Sequence, residues 1–169
     1  QLQQSHQSRS FVGARQSWET KDHNSSSQGF SPAAPAPLTL SSGEKSWEDF
    51  SPRAGVDYFV NPDFMLFAFV ARGFKSGGFN SYGNAPPFQP EVLVDYEIGM
   101  KSTLLDGKLR LNAGLFHYDY EGLQFAVNIP GLPFAVNNID ATVRGAEVEI
   151  VAVPAHGLTV TFGAAVLDS

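Results

Sequence analysis

The sequence contains no cysteine, few charges and no long apolar run, and each lack removes a class of protein. Without thiols there are no disulfides and no thiolate metal ligands, which excludes a disulfide-stapled scaffold and a Cys-based zinc module. Charged residues make up 17% of the chain, below the roughly 25% of an average soluble domain. The net charge of -6 has the wrong sign for non-specific nucleic-acid binding, which needs a basic surface, so no nucleic-acid partner is expected. No stretch approaches the roughly 20 apolar residues of a membrane-spanning helix, so any crossing of a bilayer has to be made by strands. The first ten residues carry no basic segment followed by an apolar one, so no signal peptide is read there, and the chain stops straight after an alternating run. It is expected to be a piece of a longer chain.

Catalytic patterns are equally scarce. Lys75-Ser76 follows Gly73 too closely for a phosphate loop, and no helical pattern comes after it to supply an N-terminus. His6, His23, His117 and His156 lie far apart, with no pair at metal-ligand spacing. No Gly-x-Ser-x-Gly elbow is present. Neither a catalytic site nor a metal or other cofactor is expected.

What the chain has in quantity is Gly (16), Phe (14) and Pro (11), a mixture that favours turns and strands. Its organising stretch is residues 61–80. There Met65, Phe67, Phe69 and Ala71 alternate with Leu66, Ala68, Val70 and Arg72, as the period of two in a strand requires. An aromatic face opposite a smaller face ending in Arg suits lipid on one side and a polar lumen on the other. Six further alternating runs are read at residues 8–21, 50–60, 94–104, 108–121, 141–152 and 158–167, giving about seven strands. The clearest sets Val94, Tyr96, Ile98, Met100 and Leu104 against Asp95, Glu97, Gly99, Lys101 and Thr103. In residues 108–121 the parity blurs after Leu115, where Phe116, Tyr118 and Tyr120 fall on the polar side. Either a bulge shifts the register there, or the strand has left the membrane and carries an aromatic belt.

Residues 22–46, with Pro32, Pro35 and Pro37, read as a long loop, as do 73–93 and 122–138. Asn61-Pro62-Asp63, Asp106-Gly107 and Pro154-Ala155-His156-Gly157 read as short turns. Connections thus alternate long and short, the asymmetry of a barrel with short turns at one membrane face and long loops at the other.

Gly73-Phe74-Lys75-Ser76-Gly77-Gly78-Phe79-Asn80, then Pro90-Glu91, Tyr96-Glu97-Ile98-Gly99-Met100-Lys101-Ser102, Phe116-His117-Tyr118-Asp119-Tyr120 and Gly145-Ala146-Glu147-Val148-Glu149 follow in order. Together they resemble the barrel of a TonB-dependent outer-membrane receptor of the siderophore-receptor type, over residues 50–168. The resemblance implies an all-β fold, an antiparallel transmembrane β-barrel of about 22 strands with a plugged lumen. Residues 1–169 are then part of one barrel domain, and the plug domain is absent from them. It implies a Gram-negative outer-membrane setting with surrounding lipid as a partner, and uptake of iron-siderophore complexes or similar scarce ligands. Energy would come from the TonB complex through an N-terminal segment that these residues lack. Phe67, Phe69, Tyr96, Ile98, Met100, Val148 and Phe162 are expected to face lipid, and Arg72, Glu97, Lys101 and Glu147 the lumen. The plain reading of Glu147 and Glu149 is a lumen-facing charge row rather than a catalytic pair, because nothing builds a sugar pocket around them. The loop residues Phe79, Asn80 and Tyr82, with Phe125 and Asn128, are the candidate ligand contacts, since rings give large contact area and amides give hydrogen bonds. The same residues also suit simple loop packing. Two other readings compete: a small passive barrel, which eight strands would suit, and a soluble all-β sandwich, which would need Met65, Phe67 and Phe69 buried against a second sheet.

Overall fold

All seven alternating runs form strands, and each pairs with its neighbours in sequence. The structure, a computed structural model, describes residues 7–28, 38–80, 86–127 and 135–169. The strands are β1 (Gln7–Gln28), β2 (Leu38–Asn61), β3 (Phe64–Lys75), β4 (Glu91–Leu104), β5 (Leu109–Val127), β6 (Ala135–Ala155) and β7 (Leu158–Asp168). They make one antiparallel sheet in the order β1-β2-β3-β4-β5-β6-β7, with β1 and β7 as its open edges. Among the described residues there is no second sheet, so the sandwich has no partner layer, and Trp47 is the one buried hydrophobic. A sheet with no apolar interior must put its apolar residues on an outer face.

The short turns lie where the sequence puts them. After β2 the Asp63 amide donates to the Asn61 side-chain oxygen at 2.8 Å, an Asx turn. Between β4 and β5, Asp106 (φ 53°) and Gly107 (φ 84°) are the central residues of a turn closed by Lys108 N–H to the Leu105 carbonyl at 3.1 Å. Two positive φ values define the type I′ turn, whose twist matches that of the strands.

The long connections differ from expectation. Residues 22–46 are largely paired strand: β1 and β2 stay in register up to Gln28 opposite Leu38. Only 29–37, which hold the prolines, lie outside the described residues. Proline blocks a ladder only where it stands, and Ser- and Gly-rich flanks pair well when both faces meet water. At about 3.3 Å per residue, β1 and β2 are twice as long as the roughly 9–11 residues that cross a bilayer, so their hairpin projects beyond it. Residues 122–138 are likewise mostly ladder, with a register shift between Tyr120 and Leu123 where Gly122 takes φ 66°. Its expected tip, from Ile129 to Pro133, lies outside the described residues.

Candidate functional site

Register assigns every side chain to one of two faces. Leu66, Ala68 and Val70 stand opposite Met100, Ile98 and Tyr96, which in turn stand opposite Ala113, Leu115 and His117. Beyond β5 the same face carries Val148 and Phe162. Tyr96, Ile98, Leu115 and Phe162 are each about half exposed. Large apolar groups bare on one continuous face are what a lipid-facing wall presents.

The opposite face surrounds a hollow of about 1200 Å³ that includes Arg9, Arg53, Asp57, Glu97, Lys101, Glu147 and Glu149. Arg9 donates to Asp57 from Nε at 2.9 Å, and the Asn112 amide donates to Glu149 at 2.8 Å. Glu97, Lys101 and Glu147 therefore lie on the lumen side as expected. This charged face is also aromatic: Arg53 lies over the Phe11 ring at 5.8 Å and Lys101 over Phe67 at 5.6 Å, both cation–π distances.

Phe67 and Phe69 depart from expectation. Their cross-strand partners are Gly99 and Glu97, so both rings face the lumen, stacked at 6.3 Å, and not lipid. The reason is space on the neighbouring strand. A Cβ at Gly99 would lie 2.6 Å from Phe67 Cζ and 2.5 Å from the Ala113 carbonyl, so the ring occupies the place where a side chain would stand. Phe116 covers Gly145 in the same way one hairpin on. Such rings shield backbone that glycine leaves bare. Gly99→Val should therefore cost about 1–3 kcal/mol through overpacking, because the carbonyl contact cannot relax by a rotamer change alone. Urea unfolding of the folded protein in lipid vesicles measures it, and no change in midpoint would mean that the Phe67 ring does not rest on Gly99.

The same register settles the blurred parity in β5. Pairing with β4 runs unbroken from Leu109 to Glu121, so no bulge sits at Leu115, and Phe116 and Tyr118 stack at 4.7 Å on the lumen side. Arg72 also departs from the lumen row. It continues the parity of Val70, and its guanidinium turns to the buried Asp49 carboxylate and to the Phe50 carbonyl at 3.0 Å.

At the end with long connections, the segment after β3 folds onto the lumen face of the β1–β2 hairpin. Phe79 stacks on His23 with centroids 5.1 Å apart and meets Trp47 edge-on at 6.5 Å. Lys21 donates to the Gly77 carbonyl at 2.9 Å, and Lys21 and Lys45 lie over the Trp47 ring at 5.7 and 5.6 Å. On the other side the Asn80 amide exchanges two hydrogen bonds with the Val136 backbone at 3.2 and 2.7 Å. Gln124 donates to the Ser76 and Gln89 carbonyls, and Asn138 brackets Gln89. The segment thus ties two projecting hairpins together. Of the candidate ligand contacts, Phe79 and Asn80 are brought into this clasp, Phe125 stands exposed on β5, and Tyr82 and Asn128 lie outside the described residues. His23 and Lys45 were missed because residues 22–46 read as loop, and Trp47 because it falls between that loop and the strand read at 50–60, although Lys45, Trp47 and Asp49 share the parity of Ser51 and Arg53 below them.

The comparisons with known proteins agree with this geometry. A family model described as "TonB dependent receptor-like, beta-barrel" matches residues 11–167. The metal-pseudopaline receptor CntO of Pseudomonas aeruginosa (strain UCBPP-PA14) is 39% identical over 77 residues, 45% of this chain and 11% of that protein. Among solved structures, the ferric yersiniabactin uptake receptor FyuA from Yersinia pestis has a TM-score of 0.71 at 20% identity, covering 94% of this chain and 24% of its own. The ferric-catecholate import receptor Fiu from K12 E. coli has a TM-score of 0.59 at 18% identity, covering 100% of this chain and 27% of its own. At these identities the likeness to the solved receptors is one of fold. The chain spans about a tenth of the curated relative's length and about a quarter of theirs.

Proposed function

Because this chain belongs to the family of TonB-dependent receptor-like β-barrels, we propose that it builds part of the wall and mouth of an outer-membrane receptor that takes up iron-siderophore complexes or similar scarce metal chelates. Residues 1–169 are in this reading part of one barrel domain in a Gram-negative outer membrane, closed by strands that pair with β1 and β7, since an open edge in lipid leaves backbone groups unsatisfied. The plug that fills the lumen and the segment engaged by TonB belong to other parts of the receptor. The chain's own contribution is structural and binding, not catalytic.

The observation that carries this reading is the two-faced sheet, bare and apolar on one side and charged and aromatic on the other, which rises into projecting hairpins. The hairpins hold the β3–β4 segment at the mouth. Phe79 and Asn80 fix its base by stacking and hydrogen bonding, and Phe125 stands exposed on β5; Tyr82 and Asn128 join them as proposed ligand contacts on the sequence reading alone. Rigid rings near lysine side chains suit a planar, anionic metal chelate.

Phe79→Ala and Tyr82→Ala in the complete receptor are expected to weaken binding of a ferric siderophore at the cell surface about tenfold each, the effect of losing an aromatic contact of 1–2 kcal/mol, with the amount of folded receptor unchanged. Affinity and uptake equal to wild type at normal receptor levels would reduce these residues to loop packing and move the ligand site elsewhere.

A further inference from the structure

A polar network interrupts the lipid-facing side at one level. On β5 the outward residues Leu109, Leu111, Ala113 and Leu115 are followed by His117 and Asp119, and on β6 Ile150, Val148 and Ala146 are followed by Arg144 and Thr142. His117 and Arg144 are cross-strand partners, and Tyr96 packs against the His117 ring with centroids 5.9 Å apart. The boundary between apolar and polar wall therefore runs through this pair, with Tyr96 beside it.

The network is ordered. Arg144 Nε donates to His117 Nδ1 at 3.1 Å, which leaves the ring proton on Nε2 to bond Asp119 Oδ1 at 2.9 Å, while Thr142 Oγ1 donates to the same oxygen at 3.3 Å. Asp119 is thus engaged by both His117 and Thr142. The guanidinium is held through Nε alone, and neither of its amino groups has a hydrogen-bond partner among the described residues. Beside the His117 ring, toward β2, lies a recess of about 580 Å³. The small side chains of Ala54 and Ala68 lie in it between the more prominent Val70, Tyr96, Ile98 and Leu115, and His117 also lines it. Arg144 and the recess lie on inner strands of the sheet, so neither depends on what pairs with its edges.

We propose that this recess and Arg144 form a two-part site for one lipid of the surrounding leaflet whose headgroup carries phosphate. The acyl chain fills the hollow left by Ala54 and Ala68, and the phosphate accepts from the free amino groups of Arg144. A planar guanidinium with two free donors matches a phosphate bidentately, and its charge is complementary. The tyrosine and histidine rings line the passage from one part to the other, where amphipathic rings belong. The inference rests on the outer-membrane barrel reading.

The test uses the full-length receptor in non-ionic detergent, incubated with equal amounts of phosphatidylglycerol and a phosphate-free galactosyl diacylglycerol of the same acyl chains, with retained lipid counted by native mass spectrometry. The wild type should retain phosphatidylglycerol about tenfold over the glycolipid, the effect of a charge-assisted bidentate contact. Arg144→Gln should abolish that preference, and Ala68→Phe, which fills the recess, should lower retention of both lipids. Ala54→Leu gives a second way to fill the hollow if Ala68→Phe folds poorly. Equal retention of the two lipids by the wild type, or an undiminished preference in Arg144→Gln, overturns the site. A preference that survives both fillings overturns the acyl half, and displacement of the bound lipid by millimolar inorganic phosphate assigns Arg144 to free anion instead. Migration as a heat-modifiable folded barrel is checked on the same samples. A wild type that fails it sinks the barrel reading, whereas a folded wild type without lipid selectivity sinks only the lipid site.

Discussion

Met100→Arg is expected to destabilise the folded receptor by about 2–4 kcal/mol, the cost of an arginine on the lipid face of a barrel near the bilayer midplane. Met100 stands opposite Leu66 on one side and Ala113 on the other, in the middle of the outward rows. An arginine there has lipid around it and no carboxylate beside it, its cross-strand neighbours being Leu66 and Ala113. Phe67→Arg is the contrasting change. Position 67 stands opposite Asp57 and next to Glu97 across the lumen face, so a guanidinium there meets water and carboxylates. Its cost is set by the lost cover over Gly99 and offset by a partly exposed ion pair, about 1 kcal/mol or less in net. Urea titration in lipid vesicles, read by heat-modified migration, separates the two variants. Single cysteines at Ile98, Phe67 and Lys101 provide a second readout: a membrane-soluble maleimide should favour Ile98, and a water-soluble one should favour Phe67 and Lys101. Equal destabilisation by the two arginines, or labelling that groups Phe67 with Ile98, would mean that the faces are assigned wrongly.

That contrast also shows where sequence reading stops. The strand count, the antiparallel meander, the three short turns and the inward placement of Glu97, Lys101 and Glu147 were all legible, because alternation and turn residues are local properties. The family was legible as well, from the order of motifs between Gly73 and Glu149. The facing of β3 was not. Within one strand, large rings opposite small residues look like a lipid face, and only the register across strands reveals that Phe67 covers Gly99. In β5, where Phe116 covers Gly145, the same pairing appeared as a blur in parity rather than as a rule. The projecting hairpins were missed for a related reason. Ser, Gly and Pro were read as one loop signal, although only the prolines forbid a ladder, and the serine-rich arms of β1 and β2 pair through backbone groups that side-chain patterns do not report. With the arms went Lys45 and Trp47, and so the surface on which Phe79 lies. Asn80 was singled out for its amide, and that amide exchanges hydrogen bonds with the Val136 backbone, a partner that only the folded hairpins bring to it.

Arg72→Ala is expected to cost about 2–3 kcal/mol and to loosen the mouth. Regular pairing between β2 and β3 ends at Arg53 opposite Ala71. Just above, the Arg72 guanidinium bonds the Asp49 carboxylate and the Phe50 carbonyl, holding β2 to β3 where the backbone ladder no longer does. Asp49 is 8% exposed and has one other hydrogen bond, from the Ser51 hydroxyl at 2.7 Å, so truncating Arg72 leaves a largely buried charge without its counter-ion. Removing one partner of a fully buried pair costs about 3–5 kcal/mol; because the Arg72 side chain is 31% exposed, the lower figure is the appropriate one. Asp49→Asn in the Arg72→Ala background should restore most of the loss, since it removes the orphaned charge and keeps the shape. The single Asp49→Asn change should cost less than Arg72→Ala, because the freed guanidinium can turn to water. A double-mutant cycle in vesicles reads the coupling, and a loss of about 0.5 kcal/mol or less for Arg72→Ala would reclassify the pair as an ordinary surface contact. The functional consequence runs through Trp47, two residues before Asp49 on the same face, against which Phe79 rests. Freeing this part of β2 moves the platform under the β3–β4 segment, so Arg72→Ala should also weaken chelate binding at the cell surface, and the Asp49→Asn rescue should recover affinity and stability together. Recovery of stability without recovery of affinity would separate the clasp from the ligand site.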